Sequence, residues 1–248
     1  MTSRIVFQQE MEKLNEEVTQ MANLAREAIV DAVECIVERD CSRRPEVERL
    51  DREIYRLEQV IEKRCLDVIA LHTPVASDLR TVSTCLKIIT DLNRIGRYAS
   101  DIVEVSDHLD SFSDFRNDVN ISYMGELVVA MVADATRSFT DRDAELAREL
   151  FERDDEVDRL YEVNFRTVLT YMMEDPRRIT VGTNWILVSR YLERIADHSC
   201  NIGERVVYMV TAERMDPKDR KHKNGHLPKA TEEQPPPGSY STHELEDK

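Results

Sequence analysis

Two pairs of acidic residues stand four positions apart: Asp154 and Asp158 in the string ERDDEVDRLY, and Glu193 and Asp197 in YLERIADHSCNI, where Asn201 continues the line. On a helix, positions i and i+4 lie on one face about 6 Å apart, and like charges so placed repel each other. If two such faces meet between antiparallel helices, four carboxylates converge. Such a set either attracts a cation or holds protons to higher pH than an ordinary carboxyl group does. Oxygen donors alone suit hard cations such as iron(III), manganese, magnesium or calcium, and not copper or structural zinc. Acidic pairs are also ordinary solvated surface in a chain with 49 Asp and Glu, so spacing alone leaves both readings open. Each pair flanks an apolar residue, Asp158 beside Val157 and Glu193 beside Leu192, which puts it at the edge of a packed face.

The sequence contains its own control. Asp91–Ile102 (DLNRIGRYASDI) overlays Tyr191–Ile202 (YLERIADHSCNI) with Leu, Arg-Ile and a terminal Ile at matching places. Asp51–Glu58 (DREIYRLE) likewise overlays Asp154–Tyr161 (DDEVDRLY). The chain is a duplicated unit, and the duplication is asymmetric. Of the four carboxylate positions the first copy keeps only Asp51; Tyr55, Asn93 and Arg97 fill the others. The Arg97 guanidinium is expected to stand where a cation would, paired with Asp51 or Asp101.

Long helices must carry these groups. Met11, Leu14, Val18, Met21, Ala25, Ala28, Ala32 and Cys35 follow an alternating three–four spacing, an apolar seam on a single helix. Pro45 suits the first turn of a second helix, with Val47, Leu50, Ile54, Leu57, Ile61 and Val68 on its seam. Pro74 opens a third, with Cys85, Ile88, Leu92, Ile95, Ala99 and Ile102 on its seam, and a polar break follows at Ser111–Asn120. The plan repeats in Ile121–Phe139, Ala144–Met173 and a helix from Pro176 whose seam runs through Trp185, Val188, Leu192, Ile195, Ser199, Ile202, Val206 and Met209. The expected fold is all-α: two tandem antiparallel three-helix bundles, over residues 1–115 and 116–215, related by a pseudo-twofold. Residues 216–248 are poor in apolar groups and contain Pro-Pro-Pro, the composition of a disordered tail.

Composition narrows the function. A net charge of −15 argues against a nucleic-acid partner, since phosphate backbones need a clustered basic face. The N-terminal stretch MTSRIVFQQEMEK has no apolar signal core, and no segment approaches the ~18 uninterrupted apolar residues of a membrane span, so no direct membrane insertion is expected. Five cysteines, odd in number and without C-x-x-C, read as free thiols in a reducing cytoplasm. Di-iron oxidases of helical bundles use Glu-x-x-His, and here Ile69, Val105 and Ile195 precede His72, His108 and His198 by three positions. With no nucleophile–base pair and no Gly-rich phosphate loop either, the chain is not expected to be an enzyme. His198 reads as a partly exposed helix residue.

With the tandem unit and the strings Asp78–Ile102, DREIYRLE, DDEVDRLY and Tyr191–Glu204 in view, the chain resembles the PhoU family of phosphate-uptake regulators, over about Phe7–Arg214. The resemblance implies a cytoplasmic protein, often a homodimer, that restrains phosphate uptake and the phosphate-starvation response. Its implied partners are the ATPase of a phosphate ABC transporter and, in many bacteria, a sensor histidine kinase. It also implies a cluster of iron or another hard cation on E/D-x-x-x-D motifs. Residue by residue, these fall on Asp154, Asp158, Glu193 and Asp197 in the second repeat only.

Overall fold

A computed structural model of the chain describes residues 2–106 and 118–215. Six helices run through them: α1 (Thr2–Glu38), α2 (Arg44–His72), α3 (Ala76–Ser106), α4 (Ile121–Asp141), α5 (Ala144–Glu174) and α6 (Ile179–Thr211). Short 3-10 turns at Cys41–Arg43 and Pro176–Arg178 precede α2 and α6. The expected break at Ser111–Asn120, apart from residues 118–120, the boundary at 115/116 and the tail at 216–248 lie outside the described residues.

The helix ends follow local chemistry. Pro45 sits in the first turn of α2, where a missing N–H is no loss. Pro74 does not open α3 directly. Thr73 ends α2 in the left-handed region (φ 44°), its N–H donating to the Ile69 carbonyl at 3.2 Å, and α3 begins at Ala76. Pro176 similarly starts a 3-10 turn and not α6 itself; the Asp175 carboxylate accepts from the Arg177 N–H at 3.1 Å. Asp143 caps α5, accepting from the N–H groups of Glu145 and Leu146 at 3.0 Å each.

Every seam residue predicted from periodicity on α1, α2, α3 and α6 is buried. Within each repeat the three helices pack on one another, and the repeats then join through equivalent helices, α1 against α4 and α3 along α6. Pairing of equivalents is what a pseudo-twofold produces. Along α3 and α6 the direction is antiparallel: Arg80 donates to the Met209 carbonyl (3.2 Å), Asp91 meets His198 (2.8 Å), and Tyr98 stacks on Tyr191 (5.8 Å between ring centroids). His198 is partly buried, and its partner comes from the other repeat. Polar pins hold the remaining joints. Buried Asn164 on α5 accepts from the Asn120 N–H at the start of α4 (3.1 Å) and donates to Ser189 on α6 (3.3 Å). Arg64 on α2 reaches both Glu10 and Glu17 on α1, at 2.8 Å each.

The cysteines depart from expectation. Cys65, Cys85 and Cys200 are free and buried, whereas Cys35 and Cys41 are joined by a disulfide. No C-x-x-C spacing announces the pair. The chain reverses tightly after α1, with Arg39 left-handed (φ 58°), and this returns Cys41 to within 4.7 Å of Cys35, Cα to Cα.

Gly203 on α6 is the one of the four helical glycines among the described residues whose added Cβ would press on backbone, that of α5. A Cβ there would lie 2.9 Å from the Ala147 carbonyl oxygen and 2.8 Å from Leu150 Cδ1, and the backbone atom cannot step aside. Gly203→Ala is therefore expected to lower stability by roughly 1–2 kcal/mol, since overpacking of about 1–3 kcal/mol outweighs the better helix propensity of Ala. Urea unfolding of the two proteins checks this; an unchanged midpoint would show that α5 and α6 can part freely.

Candidate metal centre

The two acidic faces do meet. α5 carries Asp154 and Asp158, α6 carries Glu193 and Asp197, and these helices pack against each other as the long hairpin of the second repeat. The four side chains form a gradient from core to solvent. Glu193 is buried at 8% exposure, Asp154 and Asp197 are half-buried, and Asp158 is exposed. Glu193 goes in because it follows Leu192 on a helix that is packed by α3 on one side and α5 on the other.

The electrostatics of the four groups follows from this placement. Burial, then the charges of Asp158, Asp197 and Glu193, push the Asp154 carboxyl from its ordinary value up to about 8. Burial and Asp197 push Glu193 up to about 7, against the pull of Arg190. Arg190 pairs with Glu193 and lies over the Tyr161 ring at 5.6 Å, and Arg194 reaches Asp197 at 3.6 Å. Two oxygens remain unmatched among the described residues: Asp154 Oδ1 and Glu193 Oε2 are buried and accept no hydrogen bond there. Among the described residues no three His, Cys, Asp or Glu side chains stand close enough to chelate one ion. The arrangement is thus an open carboxylate field. Its donors are hard oxygens with lone pairs to spare, which fits a hard cation or a partly hydrated cluster.

Sequence reasoning missed two of the neighbours and misplaced another residue. Arg190 stands three residues before Glu193, a spacing that announces an ion pair. Cys200 stands three after Asp197, and its thiol, donating to the Leu150 carbonyl at 3.6 Å, is pushed well up by burial and then by Asp154 and Asp197. Asn201 was placed on the acidic line, but its side chain turns the other way and donates to Asp91 on α3 at 3.5 Å.

The first repeat holds the predicted substitute. Arg97 Nη1 lies 3.4 Å from Asp51 Oδ2, and its Nε lies 3.6 Å from Asp101 Oδ1. The guanidinium is largely exposed, so this bridge adds little stability, but it puts a fixed positive charge between the carboxylates. Tyr55, at the place of Asp158, is exposed.

The raised carboxyls have a definite pH signature. A carboxyl whose folded pKa exceeds its unfolded value favours folding when protonated. That contribution is fully present below the unfolded value of 3.8 and is lost as pH rises through about 8. Chelator-treated protein is therefore expected to lose melting temperature between about pH 5 and about pH 8.5, and Asp154→Asn to flatten the slope and raise Tm at the upper end. Differential scanning fluorimetry across this range checks it. Equal slopes in both proteins would mean that the four groups do not feel one another.

Relatives agree with this architecture. A family model described as the PhoU domain matches residues 18–106 and again 121–206, once per repeat. A phosphate-specific transport system accessory protein PhoU homolog of Clostridium acetobutylicum is 32% identical over 218 residues, covering 88% of this chain and 100% of its own. The homolog of Aquifex aeolicus is 39% identical over 204 residues, 82% of this chain and 92% of its own. The crystal structure of PhoU from Pseudomonas aeruginosa superposes with a TM-score of 0.79 at 35% identity, over 84% of this chain and 100% of that one. With the family model matched in both repeats, and relatives aligned over nearly their whole length, the chain belongs to the PhoU family.

Proposed function

We propose that this chain regulates phosphate uptake, restraining a phosphate ABC transporter through contact with its ATPase subunit. In this reading it works in the cytoplasm as a homodimer, without catalysing a reaction. It also passes the transporter's state to a sensor histidine kinase, and so indirectly to transcription. The observation that carries the reading is the pair of PhoU-domain matches, joined to relatives named as accessory proteins of phosphate-specific transport systems. No helix among the described residues is long and apolar enough to cross a membrane, so contact with a transporter would run between protein surfaces.

The second part of the reading is that Asp154, Asp158, Glu193 and Asp197 hold one cluster of iron or another hard cation per chain. The unmatched oxygens of Asp154 and Glu193 and the mutual repulsion of the set support it. A bound cation would supply positive charge, with room for an anion's oxygens in its remaining coordination. The protein's own part is to gather the carboxylates, keep two of them poorly solvated, and hold Arg190 and Arg194 at the rim. In the first repeat Arg97 already supplies the charge. A metal-free helical adaptor is the second reading, favoured by the absence of three converging ligands among the described residues.

Two measurements separate these ideas. Elemental analysis of protein purified without added metal is expected to find iron or another hard cation, and to lose it in the double variant Glu193→Ala/Asp197→Ala. Metal absent from both leaves the adaptor. Independently, the transporter ATPase is expected to co-purify with the chain in amounts that differ between phosphate-rich and phosphate-starved cells. No co-purification in either condition would remove the transporter from the reading.

A further inference from the structure

The corner between α1 and α2 holds chemistry that phosphate regulation does not use. Cys35, buried in the last turns of α1, is bonded to Cys41, the half-buried first residue of the 3-10 turn before α2. The other thiols are of a different kind. Cys65 and Cys85 adjoin each other between α2 and α3, but a hydrogen bond to Cys65 and burial hold the Cys85 thiol protonated well above its usual range. Cys200 is held protonated chiefly by burial. The thiolate is the nucleophile in disulfide exchange, so thiols held protonated with no accessible sulfur beside them are slow to react; Cys35 is buried too, but it lies against Cys41, 4.7 Å away Cα to Cα. Cys41 is the sulfur within reach of small molecules in solution.

The same turn is a junction of three helices. Arg43 pairs with Asp31 at 2.6 Å and Glu34 at 2.8 Å, both on α1. Arg44 donates to the Val103 carbonyl near the end of α3 at 2.7 Å. Asp40 accepts from the Ser42 N–H at 2.9 Å. Arg43 is more than half exposed and its Glu34 arm is open to water, where ion pairs hold weakly, while its Asp31 arm reaches a buried carboxylate. The disulfide is the covalent tie that keeps this turn on α1.

We propose that Cys35 and Cys41 form a reversible thiol–disulfide couple that locks and releases the α1–α2–α3 corner according to the thiol poise around the protein. The compartment in this proposal rests on the cytoplasmic reading above: disulfides found in reducing cytosol are usually transient and redox-responsive, not permanent staples. The oxidant is a low-molecular-weight disulfide such as glutathione disulfide. The Cys41 thiolate attacks one of its sulfurs, forming a mixed disulfide and expelling one glutathione thiolate. The Cys35 thiolate then attacks Cys41 Sγ and expels the second. The protein gives up two electrons, the glutathione disulfide takes them, and the two protons from the cysteines end on the released thiols. Excess glutathione runs the exchange backwards and frees the turn.

Purified full-length protein, equilibrated in glutathione buffers of varied ratio, tests this. Samples are acid-quenched, denatured, alkylated and weighed by mass spectrometry, and parallel samples go to hydrogen exchange in the native state. The expected result is three labels per chain in oxidising buffer and five in reducing buffer, with an unchanged helical circular dichroism spectrum. Amides of residues 37–44 should exchange roughly tenfold faster or more once reduced. Cys41→Ser should exchange at the fast rate in every buffer. The proposal is overturned if the pair never closes, if it closes but does not reopen in the folded protein, or if exchange ignores its state. It is equally overturned if Cys41→Ser keeps the redox dependence. Failure of the transporter co-purification would leave all these results untouched, so the two readings fall separately.

Discussion

The burial of α6 on two sides at once is the constraint from which the rest of the structure follows. Its seam through Leu192, Ile195, Ser199 and Ile202 packs into the common core, while α3 runs along one flank and α5 along the other. A helix held this way cannot rotate to bring an awkward side chain into water. Glu193 is consequently drawn below the surface beside Asp154, where Arg190 answers its charge while burial and Asp197 push its carboxyl up. The α3–α6 side of the join between repeats and the α6 half of the acidic field therefore depend on the same helix.

The duplication shows what that constraint costs and how it is relieved. The two repeats share their seams and their antiparallel plan, so the backbone brings the same four positions together twice. In the second repeat all four are carboxylates, and they repel. In the first, Arg97 bridges Asp51 and Asp101 within the same framework, while Tyr55 and Asn93 replace charge with neutral groups. One geometry thus has two electrostatic solutions. One is finished within the chain, and the other leaves two buried oxygens unmatched.

The ends of the helices matter differently from their seams. The seams decide which faces meet, and the turns decide what each corner can do. At the α1–α2 corner a left-handed Arg39, an Asp40 side chain folded onto the Ser42 N–H and the paired arginines that follow bring two cysteines together. The α2–α3 connection uses a left-handed Thr73 and closes without a crosslink. The α5–α6 connection turns through Asp175 and Pro176.

By itself the sequence determined the all-α class, the repeat, the buried seams and the four acidic positions with their degenerate twins. Each of these is local or periodic: apolar residues at three–four spacing specify a face, and a hundred-residue offset exposes a duplication. The pairing of Arg97 with Asp51 and Asp101 was legible too, because Asp101 stands one turn on along the same helix and Asp51 falls opposite it when the repeats are aligned. What the tertiary structure alone decided depends on groups distant in the chain. It set how deeply each carboxylate sits, turned Asn201 towards Asp91 and away from the acidic face, and set Cys200 beside Asp154. It also closed Cys35 on Cys41 through a turn that no spacing rule encodes. Periodicity tells which side of a helix is buried; the distance from water, and therefore the proton and redox chemistry of the groups, is set only when neighbouring helices take their places.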